Sequence, residues 1–342
     1  MEELLPKDNE TIHLPLDGPV LPTEPQGFSA EQMIRCEECL RANPPTRLSC
    51  LYCGFAVPLT EESARLRRPT LRQPEKHEIG FNSIFVSLDR DDVLSEASKL
   101  LRLPEDKLEG IIQRKERLPL ARTASRDEAQ LVLERLQELG ITVLTLSDEE
   151  LGLRPELIVR ARSFKFGPDS VVVNQLAGRE SLEIPWSALR LIVSGRLVVR
   201  KVEVQERMSR KTEREILDTS QFFSDEPILD LYCDTHEQTW RIGANSFDFS
   251  CLEDQKTLVS GENVKKLRDA IVSRSPNVRL DNSYSEFRQQ LESVWPMDQE
   301  THSQGWRRER PGKYSMGATT VNSNETQFTR YSRLLRYLEL NV

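Results

Sequence analysis

Histidine is scarce in this 342-residue chain: His13, His77, His236 and His302 are the only four, and they are scattered. None stands beside a Cys or Glu at a spacing that suits a metal or a general base, which argues against histidine-centred catalysis. The glycine loops that cradle phosphates, G-x-x-x-x-G-K and G-x-G-x-x-G, are missing, as is the G-x-S-x-G nucleophile elbow. No apolar run approaches the length of a bilayer-spanning helix. The opening residues MEELLPKDNE are acidic and have no apolar core, unlike a secretory signal, so a cytosolic chain is expected. A basic excess is absent too. With 47 Lys and Arg against 55 Asp and Glu, the net charge is −8, the wrong sign for a general nucleic-acid binder.

What the chain does have is a cysteine cluster: Cys36-Glu-Glu-Cys39, ten residues, then Cys50-Leu-Tyr-Cys53-Gly54. Two C-x-x-C pairs at short separation supply four thiolates, the tetrahedral set of a structural zinc. Gly54 after the second pair allows a tight backbone turn toward the metal. Four thiolates close the coordination sphere and leave no open position for a catalytic water. A reducing compartment favours zinc over disulfides. The alternatives are a redox pair, which normally opens a helix of a thioredoxin-like unit not evident here, and an iron–sulfur cluster. Cys233 and Cys251 stand alone in apolar stretches and read as buried small residues.

The length suggests two or three domains, and the composition, 37% apolar and 30% charged, is that of a polar soluble chain with linkers. Residues 1–32 carry Pro15, Pro19, Pro22 and Pro25 among scattered acids and read as a disordered lead-in. The cysteine module occupies 33–58. A linker at 59–78 follows, with five bases and one acid in 65–76 and interruptions at Pro69 and Pro74.

Residues 79–150 read as a small α/β unit. Ser83–Leu88 and Ile141–Leu146 have strand composition, and Asp91–Leu101 and a second segment from Pro104 have helical spacing. Ser125-Arg-Asp-Glu128 matches a capping box ahead of Ala129, Val132, Leu133 and Leu136, with Gly140 as the stop. Residues 158–275 instead show many short strand-like runs separated by turn signals, Gly195 among them. This predicts an antiparallel barrel or sandwich closed by a helix. A further helix falls in 276–297, and 298–342 reads as an irregular stretch ending in a helix from Thr326. The predicted fold class is therefore multidomain α+β: a zinc ribbon, a small α/β layer unit, and an antiparallel β barrel or sandwich capped by C-terminal helices.

Three segments resemble known families. Cys36-x-x-Cys39-x-x-x-Asn43-Pro44, five residues, then Cys50-x-x-Cys53-Gly54 resembles the short bacterial zinc ribbon, with Asn-Pro between the knuckles. Its spacing overlaps that of the Ran-binding-protein-type finger, which has a Trp where this chain has Ile34. Leu103-Pro-Glu-Asp-Lys107-Leu, Leu118-Pro-Leu-Ala121 and Ser125–Val143 resemble the ribosomal stalk protein C-terminal domain and the Clp protease adaptor. That resemblance implies a strand–helix–helix–strand–helix–strand unit that docks proteins. Phe164-Lys-Phe166, Asp169–Val173 and Leu182–Leu189 resemble a bacterial pleckstrin-homology-like domain, implying a barrel capped by a helix.

Outside the cysteines the chemistry is thin. Asp225, Glu226 and Asp230 flank a strand and read as a solvated face, and Lys201–Arg214 reads as a solvated strand end and loop. Trp306-Arg-Arg-Glu-Arg310-Pro-Gly-Lys313 puts an aromatic beside bases in what reads as a tail. Trp186, Trp240 and Trp295 are expected in the core. The metal site is expected at Cys36, Cys39, Cys50 and Cys53, with no catalytic residues and no small-molecule substrate. The expected function is that of a non-enzymatic cytosolic adaptor binding a protein partner. The alternative is a peripheral sensor of membrane surfaces or lipid head groups that uses the barrel, the basic segment 65–76 and the terminal helix.

Overall fold

The computed structural model describes residues 27–58, 67–75, 78–175, 181–209, 212–310 and 313–341. Most of the predicted lead-in (1–26) and part of the predicted linker (59–66 and 76–77) lie outside the described residues. The chain divides into two compact units, Met1–Arg68 and Pro69–Val342.

The first unit is built on very little apolar material. Strands β1 (Ile34–Arg35) and β2 (Ala42–Asn43) pair antiparallel, with Ile34 opposite Asn43. A second loop is closed by a bridge between Ser49 and Ala56 and by the Val57 amide on the Leu48 carbonyl at 3.0 Å. Among the described residues its buried apolar side chains are Cys36, Cys50 and Val57, too few to stabilise a module without a staple. Arg67, expected in the linker, is buried here and donates to the carbonyls of Pro45 (3.2 Å) and Val57 (3.3 Å). The module therefore extends past the predicted boundary at 58.

The second unit begins with a three-stranded sheet and three helices. β3 (Phe81–Leu88), α1 (Leu94–Leu101), α2 (Glu105–Arg114), β4 (Pro119–Thr123), α3 (Arg126–Glu138) and β5 (Ile141–Ser147) follow in order. The sheet runs β4-β3-β5, antiparallel throughout. The pattern reading missed β4, whose Pro119 and Arg122 disguise a fully buried strand. Pro is tolerated there because it opens an edge strand. With β4 in place, the element order is strand–helix–helix–strand–helix–strand.

The Ser125 hydroxyl accepts the Glu128 amide at 3.3 Å, as a helix cap should. The capping box does not close, however. The Glu128 carboxylate instead accepts the Thr70 hydroxyl and the Leu71 amide, tying the segment that begins at Pro69 to α3.

Next come β6 (Ile158–Arg160), then β7 (Ser163–Phe166), β8 (Ser170–Asn174) and β9 (Leu182–Pro185), which form a sheet of their own. The larger sheet is dominated by β10 (Leu189–Ser209) and β11 (Thr212–Cys233), an antiparallel pair of 21 and 22 residues. β12 (Thr239–Gly243) pairs with β11, and α4 (Ser260–Arg274) and β13 (Arg279–Asp281) follow. Then come α5 (Tyr284–Glu292), β14 (Asp298–Ser303), β15 (Arg307–Arg310), β16 (Lys313–Ser323) and α6 (Glu325–Asn341). The main path of the large sheet, β14-β16-β10-β11-β12-β6, does not close on itself. The result is a curled half-barrel facing the β7-β8-β9 sheet rather than a closed barrel.

Three readings differ from the structure. The stretch 298–325 is not irregular: it supplies three strands, of which β16 pairs with β10 from Ser323 opposite Val199 to Lys313 opposite Ser209. Gly195 does not end a strand, since β10 runs straight through it. A Cβ there would sit 2.3 Å from the Phe328 ring, so glycine is required for the close approach of α6. Of Lys201–Arg214, residues 201–209 and 212–214 belong to β10 and β11, and the residues between them lie outside the described residues.

The base of this hairpin is buried on both faces. Leu189, Ile192, Leu229, Leu231, Trp240 and Ile242 meet Trp186, Phe164 and the α4 residues Val264, Leu267 and Ile271. Leu191, Val193, Ile228 and Tyr232 meet Tyr284, Phe328, Tyr331 and Leu334 from α5 and α6. Trp186, Trp240 and Trp295 are all buried, as expected.

Candidate metal centre

In the first unit each C-x-x-C forms a knuckle. After the first pair, the Leu40 amide donates to the Cys36 carbonyl at 2.9 Å; after the second, the Gly54 amide donates to the Cys50 carbonyl at 3.0 Å. The two positions are equivalent, and both have left-handed backbone, φ +57° at Leu40 and +74° at Gly54. Glycine adopts this conformation freely, whereas Leu40 must be held in it.

The knuckles bring the Sγ atoms of Cys36, Cys39, Cys50 and Cys53 within 4.8 Å of one another. Cys36 to Cys53 and Cys39 to Cys50 are each 3.5 Å. A tetrahedral metal with bonds of about 2.3 Å to sulfur requires S–S edges of about 3.8 Å, so the four thiols could hold a metal ion.

Asn43, between the knuckles and fully buried, organises the site. Its Nδ2 donates to Cys50 Sγ (3.4 Å) and to the Arg41 carbonyl (2.9 Å), and its Oδ1 accepts the Leu51 amide (2.8 Å). The Tyr52 amide also points at Cys50 Sγ, at 3.4 Å. Burial alone would raise the Cys50 thiol. The amides of Cys53 and Tyr52 and the Asn43 side chain outweigh it and bring Cys50 down to about 6. Cys53 is pushed up to about 12: the Phe55 amide lowers it, but burial and the three neighbouring sulfurs prevail. A set of donors that favours thiolate at Cys50 is what a metal ligand needs.

The knuckle surface carries a feature that the spacing did not reveal. Leu40, Leu51, Tyr52 and Phe55 are each at least half exposed, an unusual group of large apolar side chains for so small a module. Arg41 lies over the Tyr52 ring at 4.7 Å and links the two knuckles.

The other residues singled out do not assemble into a site with these. His13 and His77 lie outside the described residues. His236 packs edge-on against Trp240, and His302 is exposed on β14 near Glu300. Asp225 pairs with Arg196 at 2.8 Å, and Glu226 accepts the Asn245 amide at 2.7 Å.

Asp230 is not solvated. It is 1% exposed and forms a bidentate pair with Arg241, both contacts at 2.8 Å. Burial works against the Arg241 charge, but Asp230 and Glu325 outweigh it and hold that guanidinium well above its ordinary value. Cys233 is buried, as expected, whereas Cys251, also expected in the interior, is only half-buried. The segment beginning at Trp306 includes β15, paired with β16, and is not a loose tail. The apolar side of the terminal helix is taken up inside the protein by Phe328, Tyr331 and Leu334. No helix among the described residues is long and apolar enough to cross a membrane.

Comparison with family models, with curated proteins and with solved structures finds no match.

Proposed function

We propose that the first unit binds one zinc ion through Cys36, Cys39, Cys50 and Cys53 and is a zinc ribbon that presents an apolar knob to a protein partner. The observation that carries this reading is the pairing of a four-sulfur cage with Leu40, Leu51, Tyr52 and Phe55 exposed on the knuckles around it. A four-sulfur donor set suits zinc, and a closed shell makes the ion structural rather than catalytic. The exposed side chains supply what a small interface needs, an aromatic and aliphatic centre on a rigid support. On this reading the chain is a cytosolic adaptor without turnover of its own, and the second unit is the larger body that the knob serves.

Metal analysis of the purified full chain should return one zinc per chain, and Cys50→Ser should lose it. The partner is tested by comparing co-purified proteins from wild type and from a Leu51→Ser/Tyr52→Ser/Phe55→Ser variant that still holds zinc. A partner set unchanged by the triple substitution would remove the knob from the interface.

A further inference from the structure

The long hairpin runs on past the core. Beyond Val198 no described side chain of β10 is buried, nor is any of β11 between Ile216 and Asp225, nor any of β14 or β16. Together these stretches form a four-stranded arm, ordered β14-β16-β10-β11.

The two faces of the arm differ. Directly opposed residues on neighbouring antiparallel strands point to the same side. One side carries Val202 and Val204 of β10, with Ala318 of β16 opposite Val204 and Met316 opposite Glu206. The other carries Lys201, Glu203 and Gln205, with Lys201 over the Phe222 ring at 5.7 Å. Alternation of this kind belongs to a sheet with one wet face and one packed face.

The apolar face is open at its two largest side chains. Phe223, opposite Arg200, is 63% exposed, and Ile216, opposite Glu206, is 65% exposed. A register shift at Leu217 puts Ile216 on this face; in an unbroken ladder it would point to the other side. The bulge therefore enlarges an apolar surface that a soluble protein ordinarily covers.

The arrangement of the face is self-complementary. Arg200 and Glu206 lie on it at equal distances from the midpoint between Val202 and Val204. When two copies stack face to face with strands reversed about that midpoint, Arg200 meets Glu206 of the second copy. Phe223 likewise meets Ile216 of the second copy, and each contact occurs twice. Stacking with the strands parallel would instead set Arg200 against Arg200. Four strands about 4.8 Å apart and about ten residues long make a face of about 600 Å². Two such faces bury about 1,200 Å², the lower end of the range for specific interfaces.

We propose that the chain forms a two-fold homodimer by packing the Val202–Val204 faces of two arms with their strands antiparallel. The interface resembles a β-sandwich completed between chains, with the Arg200–Glu206 pairs setting its direction. This does not rest on the metal site, which lies in the other unit.

The test is sedimentation equilibrium of the full chain across about 1–200 µM, with circular dichroism confirming that each variant is folded. The wild type should approach twice the mass of one chain. Val204→Glu puts a charge at the centre of the face and should weaken the dimer by about 100-fold. Gln205→Glu, next to it on the wet face, should leave the dimer unchanged. Arg200→Glu and Glu206→Arg should each weaken it by about tenfold, and the double exchange Arg200→Glu/Glu206→Arg should restore most of the loss. Only contact between Arg200 and Glu206 of different copies predicts that rescue. The proposal is overturned by a wild type that stays monomeric throughout, which would leave the face to a different protein. It is equally overturned if Val204→Glu still dimerises like wild type, or if the double exchange is no stronger than its single variants.

Discussion

Asp230 and Arg241 stand opposite each other on β11 and β12 and form a bidentate ion pair in which neither side chain is more than 3% exposed. The pair lies beneath α6, where Thr329 (3.0 Å) and Glu325 (3.2 Å) complete the guanidinium's partners. Sheet alternation explains the placement. Ile228, Asp230 and Tyr232 share the face toward α6, while Leu229, Leu231 and Cys233 point the other way.

Removing one member of this pair should be far worse than replacing both. Asp230→Asn or Arg241→Met should each cost about 3–5 kcal/mol, because the remaining charge is left buried and uncompensated. The double variant Asp230→Leu/Arg241→Met should recover much of that loss. A urea-denaturation double-mutant cycle measures the coupling, and simple additivity of the two losses would contradict a buried pair.

Gly195→Ala should destabilise the second unit by about 1–3 kcal/mol, although alanine normally improves on glycine within a regular element. The added Cβ would lie 2.3 Å from Phe328 and 3.1 Å from Tyr284, and both rings are fully buried. Combining Gly195→Ala with Phe328→Leu should cost less than the sum of the two single changes. Equilibrium unfolding of the three variants checks this.

Alkaline pH should weaken the fold through Tyr232. Its hydroxyl is buried and bonded to the Ser332 hydroxyl at 2.7 Å. Burial, reinforced by the Asp230 charge, pushes its ionisation up to about 12. In the unfolded chain the phenol ionises near pH 10. The folded value is raised, so the contribution is fully present below about pH 10 and is lost as pH rises toward 12. The loss amounts to about 2–3 kcal/mol. Tyr232→Phe should show a shallower decline in urea midpoint over that window, with tyrosinate absorbance reporting the titration.

Asn43→Ala should leave all four sulfurs in place yet weaken metal binding by roughly 10–100-fold, the usual effect of removing a group that orients a ligand. It deletes the donor to Cys50 Sγ and the acceptor of the Leu51 amide together. Competition against a chromophoric chelator measures the affinity. Asn43→Asp, which retains the acceptor but not the donor, should fall between wild type and alanine.

What the sequence determined by itself was local. Two C-x-x-C knuckles bring four sulfurs together because each knuckle is closed by hydrogen bonds within a few residues of its cysteines. The stripes of α3 and α5 and the cap at Ser125 were legible for the same reason, since a helix satisfies its backbone within one segment. Tertiary structure decided the features whose partners are remote in sequence. Gly195 looks like a turn until Phe328, 133 positions later, fills the space that its missing side chain leaves. Asp230 looks solvated until α6 covers it, because a strand shows its neighbours but not which face will be buried. β14 to β16 carry too few apolar residues to announce themselves, and they became strands because β10 offered β16 a ladder of unpaired backbone groups.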